Sequence, residues 1–408
     1  MSGYHHLWGM AAITAGFGAL IVVTRSRNLQ ESLDRYLGVR IIFEIHPAEE
    51  RRPDARTVMV TGGNGFLGQY IVDLLVSKGL NVIVFDVALP DPPARRGQVT
   101  YVRGNVLELT HVERAFAEVG FRVDSVLHTA SLIAFLGVPE KAIWRVNIEG
   151  TMNLVKASAR NGVQSFVYTS SATVGIDPAS PNAENLVEDP QSPPSSSAHV
   201  DLYALTKACA EKIVNDSSSL DGMVATALRP GAIFGRGDKV ITDKTAHGID
   251  RYFIGTGGAK MDWVPVENVA TAHVLAEEAL ATDGERRRRM HRAAYYIGNN
   301  ETYTYGWFMG DGSVSPGCDP KLSHWEHPRP ESIPLPVAYA LAWVNLALYH
   351  LFGRPLLSPF LAPQLIGATQ RTFTFRSDKA GRDFGYFPTL DVKEAIRRRV
   401  ESARATGR

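Results

Sequence analysis

The sequence predicts an α/β fold in which a parallel sheet is wound by helices on both faces, followed by a smaller C-terminal lobe. Three observations carry this. Apolar runs at Thr57–Val60, Asn81–Phe85, Val99–Val102, Ser125–Leu127, Ser165–Tyr168 and Val224–Leu228 are separated by helical patterns, the sequence form of a doubly covered sheet. The first run leads into Thr61-Gly62-Gly63-Asn64-Gly65-Phe66-Leu67-Gly68, after which Tyr70, Ile71, Leu74 and Leu75 recur at helical spacing. The third is length: 408 residues exceed one compact core, so two lobes are expected.

The elements follow in chain order. Leu7 to Val23 is an uncharged run of 17 residues followed by Arg25 and Arg27, about 25 Å long if helical. Met1 to His6 holds no lysine or arginine, and no small-x-small site precedes the arginines, so residues 1–27 read as an uncleaved membrane anchor rather than a signal peptide. Arg25, Arg27, Arg35 and Arg40 on its C-terminal side place the body of the chain in the cytosol. Residues 28–56, closed by Pro47, Glu49-Glu50-Arg51-Arg52 and Pro53, read as a charged linker.

The glycine segment is where ligand chemistry enters. A helix N-terminus presents unpaired N–H groups and the positive end of a dipole, and glycines let the backbone approach a pyrophosphate. Gly62, Asn64, Gly65, Phe66, Leu67 and Gly68 are therefore candidate cofactor contacts. Asp86, at the end of the second strand and 18 residues beyond Gly68, is placed to bind ribose hydroxyls. Residues 57–237 thus read as an NAD-binding Rossmann domain. Residues 238–408 are then mainly a substrate lobe.

Asp177–Ala198, rich in proline, serine, asparagine and acidic residues, reads as a surface loop. After it, Tyr203-Ala204-Leu205-Thr206-Lys207 puts a phenol and an ammonium at i and i+4 on one helix face. A nearby cation favours phenolate, so Tyr203 is the candidate base. A hydroxyl partner is expected where the strand Ser165–Tyr168 ends, from Ser171 with Ser170 as its competitor. Ile333 to Phe352 holds 20 uncharged residues, yet crossing a membrane would strand residues 370–408 away from the lobe they complete. It reads as a helix dipping into one leaflet.

Composition excludes several classes. Lysine plus arginine (43) nearly balances aspartate plus glutamate (42), for a net charge of +1 and no expected nucleic-acid partner. Cys209 and Cys318 form no disulfide framework, and the twelve histidines show no metal-ligand spacing, so no metal site is expected. No Gly-x-Ser-x-Gly elbow is present for a serine hydrolase.

Taken together, these residues resemble the extended short-chain dehydrogenase/reductase family over most of residues 57–397. Gly104-Asn105-Val106, His128-Thr129-Ala130-Ser131, Asn147-Ile148-Glu149-Gly150-Thr151 and Arg229-Pro230-Gly231-Ala232-Ile233-Phe234-Gly235 agree with it. Asp262-Trp263-Val264-Pro265-Val266-Glu267-Asn268-Val269-Ala270 and Phe384-Gly385-Tyr386-Phe387-Pro388 look most like the 3β-hydroxysteroid dehydrogenase branch, in particular the sterol-4α-carboxylate 3-dehydrogenases. Asn105 stands where the family commonly has Asp. The resemblance implies NAD as cofactor, with further contacts from Asn105, Val106, Thr129, Ala130, Pro230 and Ile233. It implies catalysis by Tyr203, Lys207, Ser171 and Asn147, with Lys207 lowering the tyrosine pKa and Asn147 supporting a proton path.

The implied substrate is a 3β-hydroxysterol, a sterol 4α-carboxylate being oxidised and decarboxylated in sterol biosynthesis at the endoplasmic reticulum. Phe253, Trp263, Trp307 and the Ile333–Leu361 region are expected to help wall the sterol pocket, which would open toward the bilayer. Membrane lipid, other sterol-pathway enzymes and a second copy in a homodimer are the implied partners. A Δ5–Δ4 isomerase needs a second acid/base that the sequence does not locate. A sugar-nucleotide epimerase has no reason for two apolar segments, and a non-catalytic dinucleotide-binding membrane protein has none to keep Tyr203, Lys207 and the serines together.

Overall fold

The computed structural model describes residues 41–89, 97–177, 180, 182–188, 201–219, 222–238, 252–282, 284–311, 331–353, 355–357 and 361–398. Chain order begins with β1 (Glu44–His46), β2 (Thr57–Thr61), α1 (Phe66–Ser77), β3 (Asn81–Asp86), β4 (Val99–Arg103), α2 (Leu109–Glu118) and β5 (Ser125–His128). Then come α3 (Glu140–Trp144), a π-helical turn at Arg145–Gly150, α4 (Thr151–Arg160), β6 (Ser165–Thr169), β7 (Ala183–Leu186), α5 (Leu202–Asp216) and β8 (Val224–Pro230). The strands of the main sheet lie in the order β1-β4-β3-β2-β5-β6-β8-β13, with β13 at Ala294–Ile297. All its pairings are parallel except that of β1.

Alternation along these strands sends side chains to opposite faces. Val58, Val60, Val82 and Val84 pack with Ile71 and Leu75 of α1, whereas Met59, Ile83, Phe85, Val126 and Phe166 pack with Phe116, Leu154 and Val214 from α2, α4 and α5. Both layers are buried. This is why the predicted strands read as unbroken apolar runs, and each is found within two residues of its expected end.

The rest of the chain supplies β9 (Ala232–Phe234), β10 (Tyr252–Ile254), β11 (Lys260–Met261), β12 (Trp263–Pro265), α6 (Val266–Ala281), α7 (Glu285–Met290), β14 (Tyr303–Thr304) and β15 (Glu331–Ile333). It ends in α8 (Leu335–Phe352), α9 (Pro363–Ala368), β16 (Phe373–Phe375) and α10 (Asp378–Phe384). Strands β14-β11-β16-β7 form a second sheet. Helix α6 and strand β13, although late in the chain, belong to the larger lobe, where Val269, Ala272 and Ala276 cover the α1 face of the main sheet.

Two sequence expectations need correction. Residues 28–56 are not wholly a linker: Glu44–His46 pairs antiparallel with β4 through Ile45 and Val102, because Phe43 and Ile45 find apolar cover beside Phe116. Residues 177–198 are not wholly a loop: Ala183–Leu186 runs parallel to β16, with Asn185 N donating to Thr374 Oγ1 at 2.7 Å. Edge pairing there uses backbone hydrogen bonds, which composition does not reveal. The run Leu7–Val23 and residues 189–200 lie outside the described residues.

Asp262 ties the lobes together. Its carboxyl accepts the N–H of Phe375 at 2.6 Å and the hydroxyl of Thr302 at 3.4 Å, and its carbonyl accepts Ala232 N–H at 2.9 Å. Burial pushes this carboxyl up to about 7, against those hydrogen bonds. Its folded pKa thus exceeds its unfolded value. The stability it contributes is complete below about pH 4 and is lost as pH rises through about 7. In urea unfolding at pH 4.5 and 7.5, Asp262→Asn should therefore gain stability relative to the natural chain at the higher pH. An unchanged difference between the two pH values would contradict this.

Candidate active site

At the end of β2 the chain turns through Gly62 at φ +67°, where a Cβ would come within 2.9 Å of the Ala130 backbone. A Cβ on Gly68 would overlap the Gly62 carbonyl, and no side chain caps the N-terminus of α1. Backbone and helix start are thus bare toward the space in front of them. The carboxylate of Asp86 accepts the N–H groups of Asn64 at 3.0 Å and Ala88 at 3.1 Å, and burial still raises its pKa above the ordinary range. One carboxylate holds the glycine loop and faces the same space.

That space is a cavity of about 890 Å³. Of the residues expected to hold cofactor or catalyse, all line it except Asn64 and Asn147. The glycine loop and Asp86 share its wall with Ser171, Tyr203, Lys207 and Pro230. Bare backbone at a helix start, an acidic group after the second strand and no room for Cβ atoms form a cradle that fits a dinucleotide.

Helix α5 starts where the Asp201 carboxylate accepts Ala204 N–H at 2.8 Å. Tyr203 and Lys207 follow one turn apart. The Lys207 ammonium is buried, donates to the Thr169 carbonyl at the end of β6, and lies 4.5 Å from the centre of the Tyr168 ring. Loss of solvent brings its pKa down to about 7, opposed by Glu211. Burial pushes the Tyr203 phenol above 10, and the Asp201 carboxylate adds to this. The expected depression of the tyrosine by Lys207 is therefore absent in this arrangement, because the ammonium is committed to Thr169 and desolvation dominates both groups.

The two serines divide their work. Ser170 donates to Glu211 at 2.6 Å, and Glu211 also accepts Arg229 Nη2 at 2.6 Å and Nε at 3.0 Å. Ser171 instead pairs with the Thr173 hydroxyl at 2.8 Å beside the cavity. Asn147 sits in the π-helical turn, whose wider winding turns it inward. Its Oδ1 accepts Leu132 N–H at 2.8 Å, and its Nδ2 donates to the Leu132 carbonyl and the Thr206 hydroxyl, both at 3.0 Å. It holds the cavity rim and the residue before Lys207 in register.

Comparison with known proteins decides the family. The profile of the 3-beta hydroxysteroid dehydrogenase/isomerase family matches residues 59–312. The chain belongs to that family. A 3beta-hydroxysteroid-dehydrogenase/decarboxylase of Arabidopsis thaliana is 29% identical over 373 residues, covering 85% of this chain and 79% of the relative. A 3 beta-hydroxysteroid dehydrogenase/Delta 5-->4-isomerase of Mycobacterium tuberculosis is 31% identical, covering 83% and 88%. A decarboxylating sterol-4-alpha-carboxylate 3-dehydrogenase of Candida albicans is 27% identical, covering 84% and 95%. UDP-glucose 4-epimerase of Thermotoga maritima shares the fold, with a TM-score of 0.63 at 20% identity over 86% of this chain and all of that one. As a member of this family the chain is an NAD-dependent oxidoreductase acting on CH–OH groups.

Some of what this site contains was not legible in sequence. Buried His128 links the glycine loop to the π-turn: the Thr151 hydroxyl donates to the Asn147 carbonyl at 2.6 Å, so His128 Nε2 donates to Thr151 at 2.9 Å and Nδ1 accepts from Thr61 at 2.7 Å. Burial, with Lys207 nearby, brings His128 down to about 3, so the ring is neutral. Its place in His128-Thr129-Ala130-Ser131 was the available signal. Phe253, Trp263 and Trp307, expected to wall a sterol pocket, do not line this cavity; they pack with Phe234, Tyr305 and Phe308 in the core of the second lobe. Met261, Asp262, Ala368, Arg371, Phe373 and Phe375 line it instead.

Asp86 offers a testable preference. A carboxylate that received ribose hydroxyls there would repel a 2′-phosphate, so kcat/KM with NAD should exceed that with NADP by at least about tenfold, or about 1.4 kcal/mol. Asp86→Ser should narrow the ratio, as read by steady-state kinetics with each dinucleotide. An NADP preference in the natural chain would contradict the role given to Asp86.

Proposed function

We propose that the chain oxidises the 3β-hydroxyl of a sterol bearing a 4α-carboxylate, and that decarboxylation follows. The observation that carries this reading is one cavity in which the dinucleotide cradle, the Tyr203–Lys207 face and an apolar wall of Ile176, Phe373 and Phe375 meet. A rigid, nearly all-apolar substrate needs such a wall, with polar groups only where it reacts.

Each residue then has a task. Ser171 holds the C3 hydroxyl toward Tyr203, and Tyr203 takes its proton. Lys207, one turn away, supplies a positive charge that favours the Tyr203 phenolate when its ammonium turns from the Thr169 carbonyl toward the phenol. Asn147 keeps Leu132 and Thr206 in place behind it. NAD, when bound through Gly62, Gly65, Gly68 and Asp86, supplies the acceptor for the C3 hydride. With C3 a ketone, the adjoining carboxylate is that of a β-keto acid. Its C–C bond breaks with the electron pair entering the new carbonyl, carbon dioxide leaves, and protonation of the enolate at C4 gives the ketone. Arg371, a cation in the cavity wall, suits an anionic substrate. The relatives from Arabidopsis and Candida named as decarboxylating enzymes support the same reading.

A second reading, oxidation followed by Δ5–Δ4 isomerisation, is favoured by Asp262. This carboxyl lies in the cavity wall with its pKa raised to about 7, in the range of a proton-transfer group. Product analysis separates the two, since only decarboxylation releases carbon dioxide and only isomerisation creates a conjugated enone.

We also place the protein on a membrane of the sterol pathway, the endoplasmic reticulum with its body in the cytosol. Support comes from the arginines after Leu7–Val23 and from α8, which is long and apolar enough to cross a bilayer yet mostly exposed.

Full-length protein with NAD and a 4α-carboxy-3β-hydroxysterol should form NADH and carbon dioxide in equal amounts and leave UDP-sugars almost untouched. Tyr203→Phe should keep dinucleotide binding and lose at least about a hundredfold in turnover. UDP-sugar conversion in place of sterol oxidation, or near-normal turnover in that variant, would reject the reading.

A further inference from the structure

Strand order decides which part of the cavity meets which end of a dinucleotide. The glycine loop and the start of α1 follow β2, Asp86 closes β3, and β4 lies beyond β3, on the side of β2 opposite to β5 and β6. Lys207 is tied to the end of β6, so the reacting end belongs on that side. With the pyrophosphate at the helix start and a ribose at Asp86, the purine base then falls one strand further out, past the end of β4, since neighbouring strands lie about 4.8 Å apart. Gly104, Asn105 and Leu107 border the cavity there, together with Val87 and Ala88 just after β3. Gly104 N–H donates to the Asp86 carbonyl at 2.9 Å, which ties the two strand ends to each other.

Asn105 is only 9% exposed, and all but one of its polar groups are committed within the chain. Its N–H donates to His111 Nδ1 at 3.4 Å, its carbonyl accepts Glu108 N–H at 3.0 Å, and its side-chain Oδ1 accepts Leu107 N–H at 3.0 Å. The last is a turn in which a short side chain takes the place of a backbone carbonyl. It also fixes which way round the amide sits, because the reverse orientation would set Nδ2–H against Leu107 N–H, donor to donor. The Nδ2 group remains, with two N–H donors that meet no acceptor among the described residues. Val106 N–H, the next donor along the chain, likewise meets none among the described residues, while the Val106 side chain packs into the core beside Gly150.

A donor left unmatched at so buried a position is costly, so this part of the wall calls for an acceptor from whatever lies against it. Adenine offers its ring nitrogens as acceptors, but beside N7 stands the 6-amino group, itself a donor. Hypoxanthine carries an oxygen on the same carbon, so O6 and N7 form an adjacent acceptor pair, as they do in guanine. We propose that Asn105 reads the base of the dinucleotide as a hydrogen-bond donor, so that the site takes a 6-oxopurine at least as readily as adenine. Adenine is held through a ring nitrogen, and its 6-amino group contributes nothing. A carboxylate at this position would act in the opposite sense. One oxygen would keep Leu107 N–H, and the other would receive the 6-amino group and repel O6. Exchanging one nitrogen for one oxygen therefore inverts the preference.

The inference rests on the dinucleotide cradle described above, and its test reads binding rather than turnover. Full-length protein is titrated by isothermal calorimetry with NAD and with deamino-NAD, in which hypoxanthine replaces adenine. The natural chain should bind deamino-NAD at least as tightly as NAD. Asn105→Asp should shift the ratio of the two dissociation constants toward NAD by at least about tenfold. Both ligands meet the same added charge, so the ratio isolates the base. Tighter binding of NAD by the natural chain, or a smaller shift in the variant, would each overturn the proposal.

Should Asn105→Asp fail to fold, Asn105→Ala removes the donor without adding an acceptor and should weaken deamino-NAD at least about threefold more than NAD. Equal losses for the two ligands would overturn the role given to Nδ2. Failure of the natural chain to bind either dinucleotide would sink the cofactor assignment as well, whereas tighter binding of NAD would leave that assignment intact and remove only the donor role of Asn105.

Discussion

The buried ion pair between Glu211 on α5 and Arg229 on β8 is the constraint on which the site depends. Glu211 receives three hydrogen bonds, two from the guanidinium and one from Ser170, and both charged groups are almost wholly removed from water. Such a pair is tolerable only when fully hydrogen-bonded, and taking away one member typically costs about 3–5 kcal/mol. Tyr203, Lys207 and Glu211 stand at i, i+4 and i+8 on one face of α5, so anchoring Glu211 fixes the rotation that presents the other two. On the partner strand, Arg229 immediately precedes Pro230, which lines the cavity. One interaction thereby sets the helix, the end of β6 and the end of β8 against each other.

Around that pair, the buried histidines nearest Lys207 are kept uncharged. His273 donates from Nδ1 to the Val269 carbonyl at 2.8 Å, so its Nε2 accepts from the Thr169 hydroxyl at 2.7 Å. Burial, offset by that carbonyl, brings His273 down to about 4, and His128 is neutral for the same reason. Two histidines near a buried ammonium therefore serve as hydrogen-bond bridges rather than charges. Thr169 joins the two systems, giving its hydroxyl to His273 and its carbonyl to Lys207.

The apolar hairpin, α8 with the segment returning to α9, obeys the same rule. Asn345 is to the return segment what Glu211 is to the strand ends, a buried polar side chain kept because every group it meets is satisfied. A hydrophobic residue there would leave Leu357 N–H and the Leu361 carbonyl without that partner.

The sequence by itself determined the main sheet and its wrapping, because fully buried parallel strands must be apolar on both sides and glycine is required where Gly62 and Gly68 meet backbone. It also placed Tyr203 and Lys207 on one face, since helical periodicity is local. Only the tertiary structure decided the rest. Whether Lys207 acts on Tyr203 or on Thr169 depends on what surrounds both, and the short strands at 44–46 and 183–186 exist only because β4 and β16 offer them an edge. Trp263 and Trp307 read as candidates for a ligand wall but pack against Phe308 and Tyr303, since apolar character alone does not distinguish a core from a pocket. Asn345 interrupts an apolar run; its partners lie 12 and 16 residues on, and only folding brings them to it.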